Sequence, residues 1–356
     1  MSDMKKRPVH KTERIRGLDG LRTLALFGVL LFHMFPQKVS GGYFGVIIFF
    51  VISGFLTAYS TVKKGRVSIL SYYAKRMERI YPALILMLFI SIEIISLVDK
   101  FKLLNVQEEV VSILLGYNNY WQISKSADYF ANLSNNSAFT HLWYISILLQ
   151  FELVWPWLYR ILSLFRKPLA AFGVIVLLFL FVMPIASMDS TFTQTMLYYD
   201  TLCRVHALLI GAWIGWLKAG PEGKRSIRAF LVVPVVLAFF IGSVPVFLKA
   251  AGTLPGVYHY GIVLYGLLCG MVVLLISCSR ARFLRLLDNP VTSFFSRYSY
   301  EIYLWQYPVL FVFGLLKMNT AFWHYLLQAA VLLILSVWTN LFVANAGTFL
   351  KARIKW

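Results

Sequence analysis

The sequence predicts an all-α integral membrane protein of about ten transmembrane helices, with both termini in the cytoplasm. Three observations predict it. Of 356 residues, 59% are hydrophobic and only 14% charged, where a soluble domain is roughly half apolar and about a quarter charged. Apolar runs long enough to cross a bilayer recur from one end of the chain to the other. The basic residues also alternate. Of 34 Lys and Arg, 26 fall in the two tails and the even-numbered connections, six fall in the odd-numbered ones, and Arg22 and Arg204 lie within spans. Cytoplasmic loops are the basic ones, so an even number of spans follows. A mean hydropathy of +0.71 excludes a soluble enzyme, a secreted disulfide scaffold and a disordered regulator. The formal charge of +19 is accounted for by topology and by the anionic headgroups of the lipid bilayer. No nucleic acid partner is needed.

Residues 1–17 form a basic cytoplasmic tail, 18–345 the transmembrane domain and 346–356 a second cytoplasmic tail. The first span, 18–36, is no cleaved leader. It is too long, lacks a small-residue cleavage site, and carries Asp19, Arg22 and His33. The second span is 43–62, and the connection after it holds Lys63, Lys64, Arg66, Lys75, Arg76 and Arg79. The third, 80–98, contains Glu93. An outer connection of about 99–137 follows. Within it, NVQEEVVSILLGYNNYW at 105–121 is apolar on one face only and contains Glu108 and Glu109, which suits an interfacial or re-entrant segment. The NLSNNS run at 132–137 reads as a solvated loop. The fourth span, 138–159, carries His141 and Glu152; then come 169–187, 200–217 with Arg204 and His206, 229–248, 257–278, 298–316 with Glu301, and 322–345. Cys203, Cys269 and Cys278 sit in apolar runs without metal spacing and read as small buried hydrophobes.

Charged groups inside a membrane are costly and mark interior sites. Arg22 and His33 are eleven residues apart, which returns a helix to within about 20° of the same face after about 16 Å. His141 and Glu152 repeat that spacing on a span running the other way. Two antiparallel helices therefore offer histidine opposite histidine near the outer surface and arginine opposite glutamate in the inner half. The expectation is that spans one and four pack directly and that Arg22 and Glu152 form a buried ion pair. Competing readings exist for each residue: interfacial anchoring for the histidines, snorkelling for Arg22, helix–helix glue for Glu93 and Arg204. The doubled spacing favours a functional cluster. Glu93 and Arg204, at similar outer depth, are candidates to pair and to line a channel.

The opening RGLDGLRTLALFGVLLFH, followed by GGYFGVIIFFVISGFL, resembles the start of the membrane-bound acyltransferase family 3. Further matches occur in the same order over nearly the whole chain: SYYAKRMERIYPAL at 71–84, THLWYISILLQFELVWP at 140–156, RVHALLIGAWIG at 204–215 and YSYEIYLWQYPV at 298–309. The last looks most like the transmembrane part of the peptidoglycan O-acetyltransferases of Gram-positive bacteria. The chain departs from the pattern at Ile47, Leu148 and Leu149, where many members are acidic. Glu152, one turn on, is the candidate substitute.

The resemblance implies an O-acetyltransferase that takes acetyl from cytoplasmic acetyl-CoA, with no tightly bound cofactor and no metal, and delivers it to a hydroxyl of a cell-surface glycan. Peptidoglycan is the first choice, with exopolysaccharide, teichoic polymer or glycolipid as alternatives. Many relatives with cell-wall acceptors carry an extra span and an outer serine-hydrolase-like domain, so the resemblance leaves two expectations: the membrane portion of a longer protein with such a domain or a separate partner for it, or a stand-alone member. A hydroxyl needs a base as it attacks, and imidazole suits that task near neutral pH. His33 is the candidate base or transient acyl carrier, with His141 assisting and Arg22 held by Glu152. Lys75, Arg76 and Arg79 are candidates for the CoA phosphates, although the positive-inside pattern alone also explains them. Tyr303 and Trp305 are candidates to line the passage. The rival classes are a secondary transporter and a non-catalytic scaffold. The chain lacks the paired interrupted spans that transporters with inverted repeats show.

Overall fold

The computed structural model describes residues 15–353, apart from 66, 104–105, 126–136, 222, 224–225, 255 and 320, and side chains as far as 347. Most of the expected N-terminal tail, Arg66, and the NLSNNS run except Ser137 lie outside the described residues. The chain forms helices α1 (Leu18–Met34), α2 (Phe44–Lys64), α3 (Ile69–Asp99), α4 (Val106–Leu114), α5 (Asn118–Ser124), α6 (Trp143–Leu162), α7 (Pro168–Met188) and α8 (Gln194–Tyr199). They are followed by α9 (Thr201–Ala219), α10 (Ala229–Lys249), α11 (Ile262–Ser277), α12 (Leu284–Leu287), α13 (Pro290–Arg297), α14 (Ser299–Leu315) and α15 (Phe322–Arg353). No strand occurs among the described residues. In lipid the helix satisfies its own backbone, and eight helices here are long and apolar enough to cross a membrane. The first and ninth predicted spans correspond to α1 and α14, each of 17 residues.

Hydropathy locates apolar runs and not helix ends. The third helix begins at Ile69, eleven residues before the predicted span, because Ser68 caps it by accepting from the Ser71 N–H and the basic stretch continues it. The described residues of the 105–121 segment, from Val106 on, fold as α4 and the start of α5, which are too short to cross. Their polar residues Asn118, Asn119 and Gln122 are buried, while Val111, Leu115 and Tyr120 are exposed. That agrees with the interfacial reading.

Backbone bonds between distant segments tie the two ends of the bundle. At the end where basic residues gather, the Gly17 N–H donates to Asp288 at 2.7 Å. At the far end the Gly41 N–H donates to the Phe247 carbonyl at 2.9 Å. The centre is the α2–α9 pair, where small residues permit backbone contact. A Cβ at Gly211 would stand 1.9 Å from the Val51 carbonyl oxygen, and one at Gly54 2.0 Å from that of Leu208. Around this pair pack α1, α6, α7 and α11, with α14 set against α1, α3 and α15; α7, α10 and α15 also turn long apolar faces outward.

Candidate active site

A cavity of about 200 Å³ opens in the basic half of the bundle. The inner stretch of α1 contributes Arg22, α2 contributes Ser53 and Thr57, and α3 contributes Arg76 and Arg79. Glu152 comes from α6, Arg297 ends α13, and Tyr303 comes from α14. Four guanidiniums thus face one lining carboxylate. A second hollow adjoins it at the basic end, sharing Arg22, Ser296 and Arg297 and bounded by Asp19. Asp19 is held there by the hydroxyls of Ser293 at 3.1 Å and Ser296 at 2.7 Å. Arg22 feels repulsion from Arg79 and attraction from Asp19.

The expected Arg22–Glu152 pair is not the one that forms. Glu152 takes its ion pair from Arg76, Nε to Oε2 at 2.9 Å. Thr57 accepts from Arg76 Nη2 at 2.8 Å and donates to Glu152 Oε1 at 2.8 Å, and the Tyr72 hydroxyl donates to Oε2. The reason is packing. Helices α1 and α6 make no extended contact, so Arg22 and Glu152 stand on different walls of one cavity. Helical spacing placed each on the right face but could not say which helix lay opposite. Leu148 also lines the cavity, and Glu152 is one turn beyond it, so the carboxylate of this wall is Glu152.

Rings of Phe49, Tyr144 and Tyr303 stand at the cavity's far end. Those of Tyr144 and Tyr303 lie 5.2 Å apart, and Tyr303 lies 5.3 Å from His141. Beyond them His33 and His141 do meet, with ring centroids 6.5 Å apart. Helix α14 holds both. Pro308 has no N–H, so the Leu304 carbonyl four residues earlier lacks its helical donor. His141 Nε2 bonds that carbonyl at 3.1 Å. A carbonyl only accepts, so Nε2 carries the proton and Nδ1, buried with no partner, keeps its lone pair. His33 Nδ1 meets Gln306 Oε1 at 3.2 Å, which leaves Nε2 as its basic nitrogen. Tyr307 stacks on His141 at 5.3 Å and meets His33 edge-on at 5.1 Å. The Tyr303 hydroxyl donates to the His141 carbonyl.

The structure therefore gathers His33 with His141, and Arg22 with Arg76, Arg79, Glu152 and Tyr303. Four expected members are elsewhere. Lys75 and Glu93 are exposed on α3 and turn away from the cavity. Trp305 faces α15 and donates to Thr339 Oγ1 at 2.9 Å, because an indole N–H buried in the bundle needs an acceptor. Arg204 does not pair with Glu93. Its Nε donates to the Tyr198 carbonyl at 2.8 Å, and its guanidinium lies among Tyr198, Trp143 and Tyr258. Thr57, Tyr72, Tyr144, Arg297 and Gln306 were not singled out from sequence. In the sequence Arg297 reads as one more basic residue of an even-numbered connection, and polar groups such as Gln306 and Thr57 stand out little in an apolar run. The signal for Pro308 was legible, since proline inside an apolar span frees a carbonyl.

A family model described as "Acyltransferase domain" matches residues 15–344. Among curated proteins, "Putative O-acetyltransferase SACOL0978" of Staphylococcus aureus (strain COL) is 26% identical over 313 residues, covering 84% of this chain and 51% of the relative. "Putative peptidoglycan O-acetyltransferase YrhL" of Bacillus subtilis (strain 168) is 29% identical over 346 residues, 92% of this chain and 54% of the relative. "O-acetyltransferase OatA" of Staphylococcus aureus (strain NCTC 8325 / PS 47) is 24% identical over 303 residues, 83% and 50% respectively. The chain spans about half the length of these relatives. No solved structure matches it.

Proposed function

This chain belongs to the acyltransferase family whose model it matches over residues 15–344, and from that premise we propose that it is a multi-pass membrane O-acetyltransferase. It moves acetyl from cytoplasmic acetyl-CoA to a hydroxyl of a cell-surface glycan, peptidoglycan in the first place. One observation carries the reading: a cavity ringed by four arginines ends against aromatic rings directly beneath two histidines. CoA is a polyanion, and arginine forks match its phosphates. Arg79, Arg22 and Arg297 are the guanidiniums that receive it from the basic end. Arg76, already neutralised by Glu152, holds the wall. The donor's acetyl end then points toward Tyr144 and Tyr303, and the acceptor approaches from the other side of the bilayer.

As the acceptor oxygen attacks the acetyl carbon, an imidazole lone pair takes its proton. His33 Nε2 is that base, and His141, fixed by Leu304, orients the pair. The guanidiniums of the cavity stabilise negative charge on the departing thioester sulfur. An outer domain that handles the acceptor, in the same polypeptide or a separate one, completes the proposal; the length of the relatives supports it. In membranes carrying His33→Ala, transfer of labelled acetyl from acetyl-CoA to wall glycan should fall by at least about 10²-fold with the protein present at normal level. Retained transfer removes His33 from the mechanism.

A further inference from the structure

Helices α4 and α5 pack against α6, and α5 also against the turn that carries His141, with their polar residues turned inward. The Asn118 backbone donates to Ser146 Oγ at 3.0 Å and its side chain to Ser112 Oγ at 3.0 Å. Asn119 donates to the Tyr199 carbonyl at 3.0 Å, and Gln150 to that of Gly116 at 2.8 Å. A buried polar layer bonded across three helices in this way is stiff. It contains one group that amides and hydroxyls do not explain, the carboxylate of Glu109, which is 3% exposed. Glu109 accepts from Ser137 Oγ at 2.5 Å and from Gln122 Nε2 at 3.5 Å. Its neighbour Glu108 turns outward to Lys125 at 2.9 Å.

Two links join this carboxylate to the histidines. Ser137 opens the turn that carries His141: its Oγ accepts from the Phe139 N–H at 2.9 Å and its carbonyl from Thr140 Oγ1 at 3.3 Å. Glu109 also acts electrostatically on the Tyr307 hydroxyl, and the Tyr307 ring contacts both imidazoles. The groups facing Glu109 are thus Gln122 from α5, Ser137 from the turn before α6, and Tyr307 from α14 with His33 and His141 behind it.

We propose that Glu109 is the outer proton acceptor of the transfer, taking from the histidine pair the proton that leaves the acceptor hydroxyl and releasing it to the external solution. This rests on the acetyltransferase reading above. In the step, the acceptor O–H bond breaks and an O–C bond to the acetyl carbon forms. The thioester C–S bond breaks with its electron pair on sulfur, and the thiolate takes a proton from the cytoplasmic solution. Burial pushes the Glu109 carboxyl up to about 7, with Ser137 and Gln122 holding it partly down, so the group gains and loses a proton readily near neutrality.

The test uses the full chain in membrane vesicles, labelled acetyl-CoA, and isolated peptidoglycan as the probe acceptor, from pH 5 to 9. The wild-type rate should rise through about pH 7 as Glu109 ionises. Glu109→Gln has the same shape and keeps the Ser137 contact through its carbonyl oxygen, while its NH2 can meet Gln122 only if that amide turns its oxygen inward; it should lose on the order of 10²-fold in rate, with no inflection near 7. Glu109→Asp should recover most of the rate with a displaced inflection. An active wild type whose pH profile Glu109→Gln reproduces, at any rate, overturns the proposal alone. An inactive wild type overturns the acetyltransferase reading and the proposal with it. If Glu109→Gln fails to accumulate, Glu109→Asp decides: an unchanged inflection refutes the role and a displaced one supports it.

Discussion

At the scale of single residues, the site depends on a proline. Pro308 frees the Leu304 carbonyl, and that carbonyl fixes both the orientation and the proton of His141. Pro308→Ala restores a helical N–H that competes for it. A neutral hydrogen bond contributes about 1 kcal/mol, so transfer should drop roughly five- to tenfold while the amount of protein in the membrane is unchanged or higher. The two cavity arginines of α3 should separate in kinetics. Arg79→Ala should raise the KM for acetyl-CoA about tenfold with little loss of stability. Arg76→Ala leaves the Glu152 charge buried with only Tyr72 and Thr57, and stranding one member of a buried pair costs about 3–5 kcal/mol. Detergent-extracted Arg76→Ala should therefore unfold at clearly lower temperature than Arg79→Ala. His33, His141, Arg22 and Glu152 were legible because an ionisable group in an apolar run is conspicuous. Their pairing was not, since spacing along one helix fixes a face and leaves the neighbour open. Glu109 was visible only as a mark of an interfacial segment, and Thr57 carries no charge to betray it.

At the scale of elements, the closest approach in the bundle is the α2–α9 seam. Gly211→Ala would set a methyl 1.9 Å from the Val51 carbonyl oxygen, and backbone cannot yield as a side chain does. Overpacking of this kind costs about 1–3 kcal/mol and sometimes more. Thermal unfolding of the extracted protein should show the loss, whereas Gly242→Ala on α10, where nothing lies near the added methyl, should be close to neutral. The apolar runs located the helices within a few residues for most of the chain. They failed at the start of α3, where a helix leaves the apolar region and continues through Lys75, Arg76 and Arg79. Which helices touch was hidden, because close approach rests on small residues that hydropathy ignores.

At the scale of the whole molecule, the far-end polar layer gives folding stability a pH dependence. A carboxyl raised from its ordinary value to about 7 in the folded chain binds its proton more tightly folded than unfolded. The resulting stabilisation is fully present at acid pH and is lost as pH climbs from near 4.5 through about 7. At 1.36 kcal/mol per unit the span amounts to about 3 kcal/mol. The melting temperature of the extracted protein should fall across that window, and Glu109→Gln should flatten the decline. The tilted and edge-on rings of Phe49, Tyr144 and Tyr303, packed between the cavity and the histidines, have an electrical consequence. The transfer across the bilayer proposed above requires a protein that does not leak, for each ion slipping down a membrane potential dissipates about 2.3 kcal/mol per 100 mV. A plug of packed rings offers no water file for a hydrated ion to follow. Cells making this protein in excess should therefore keep their membrane voltage, and smaller side chains at Tyr144 and Tyr303 together should discharge it.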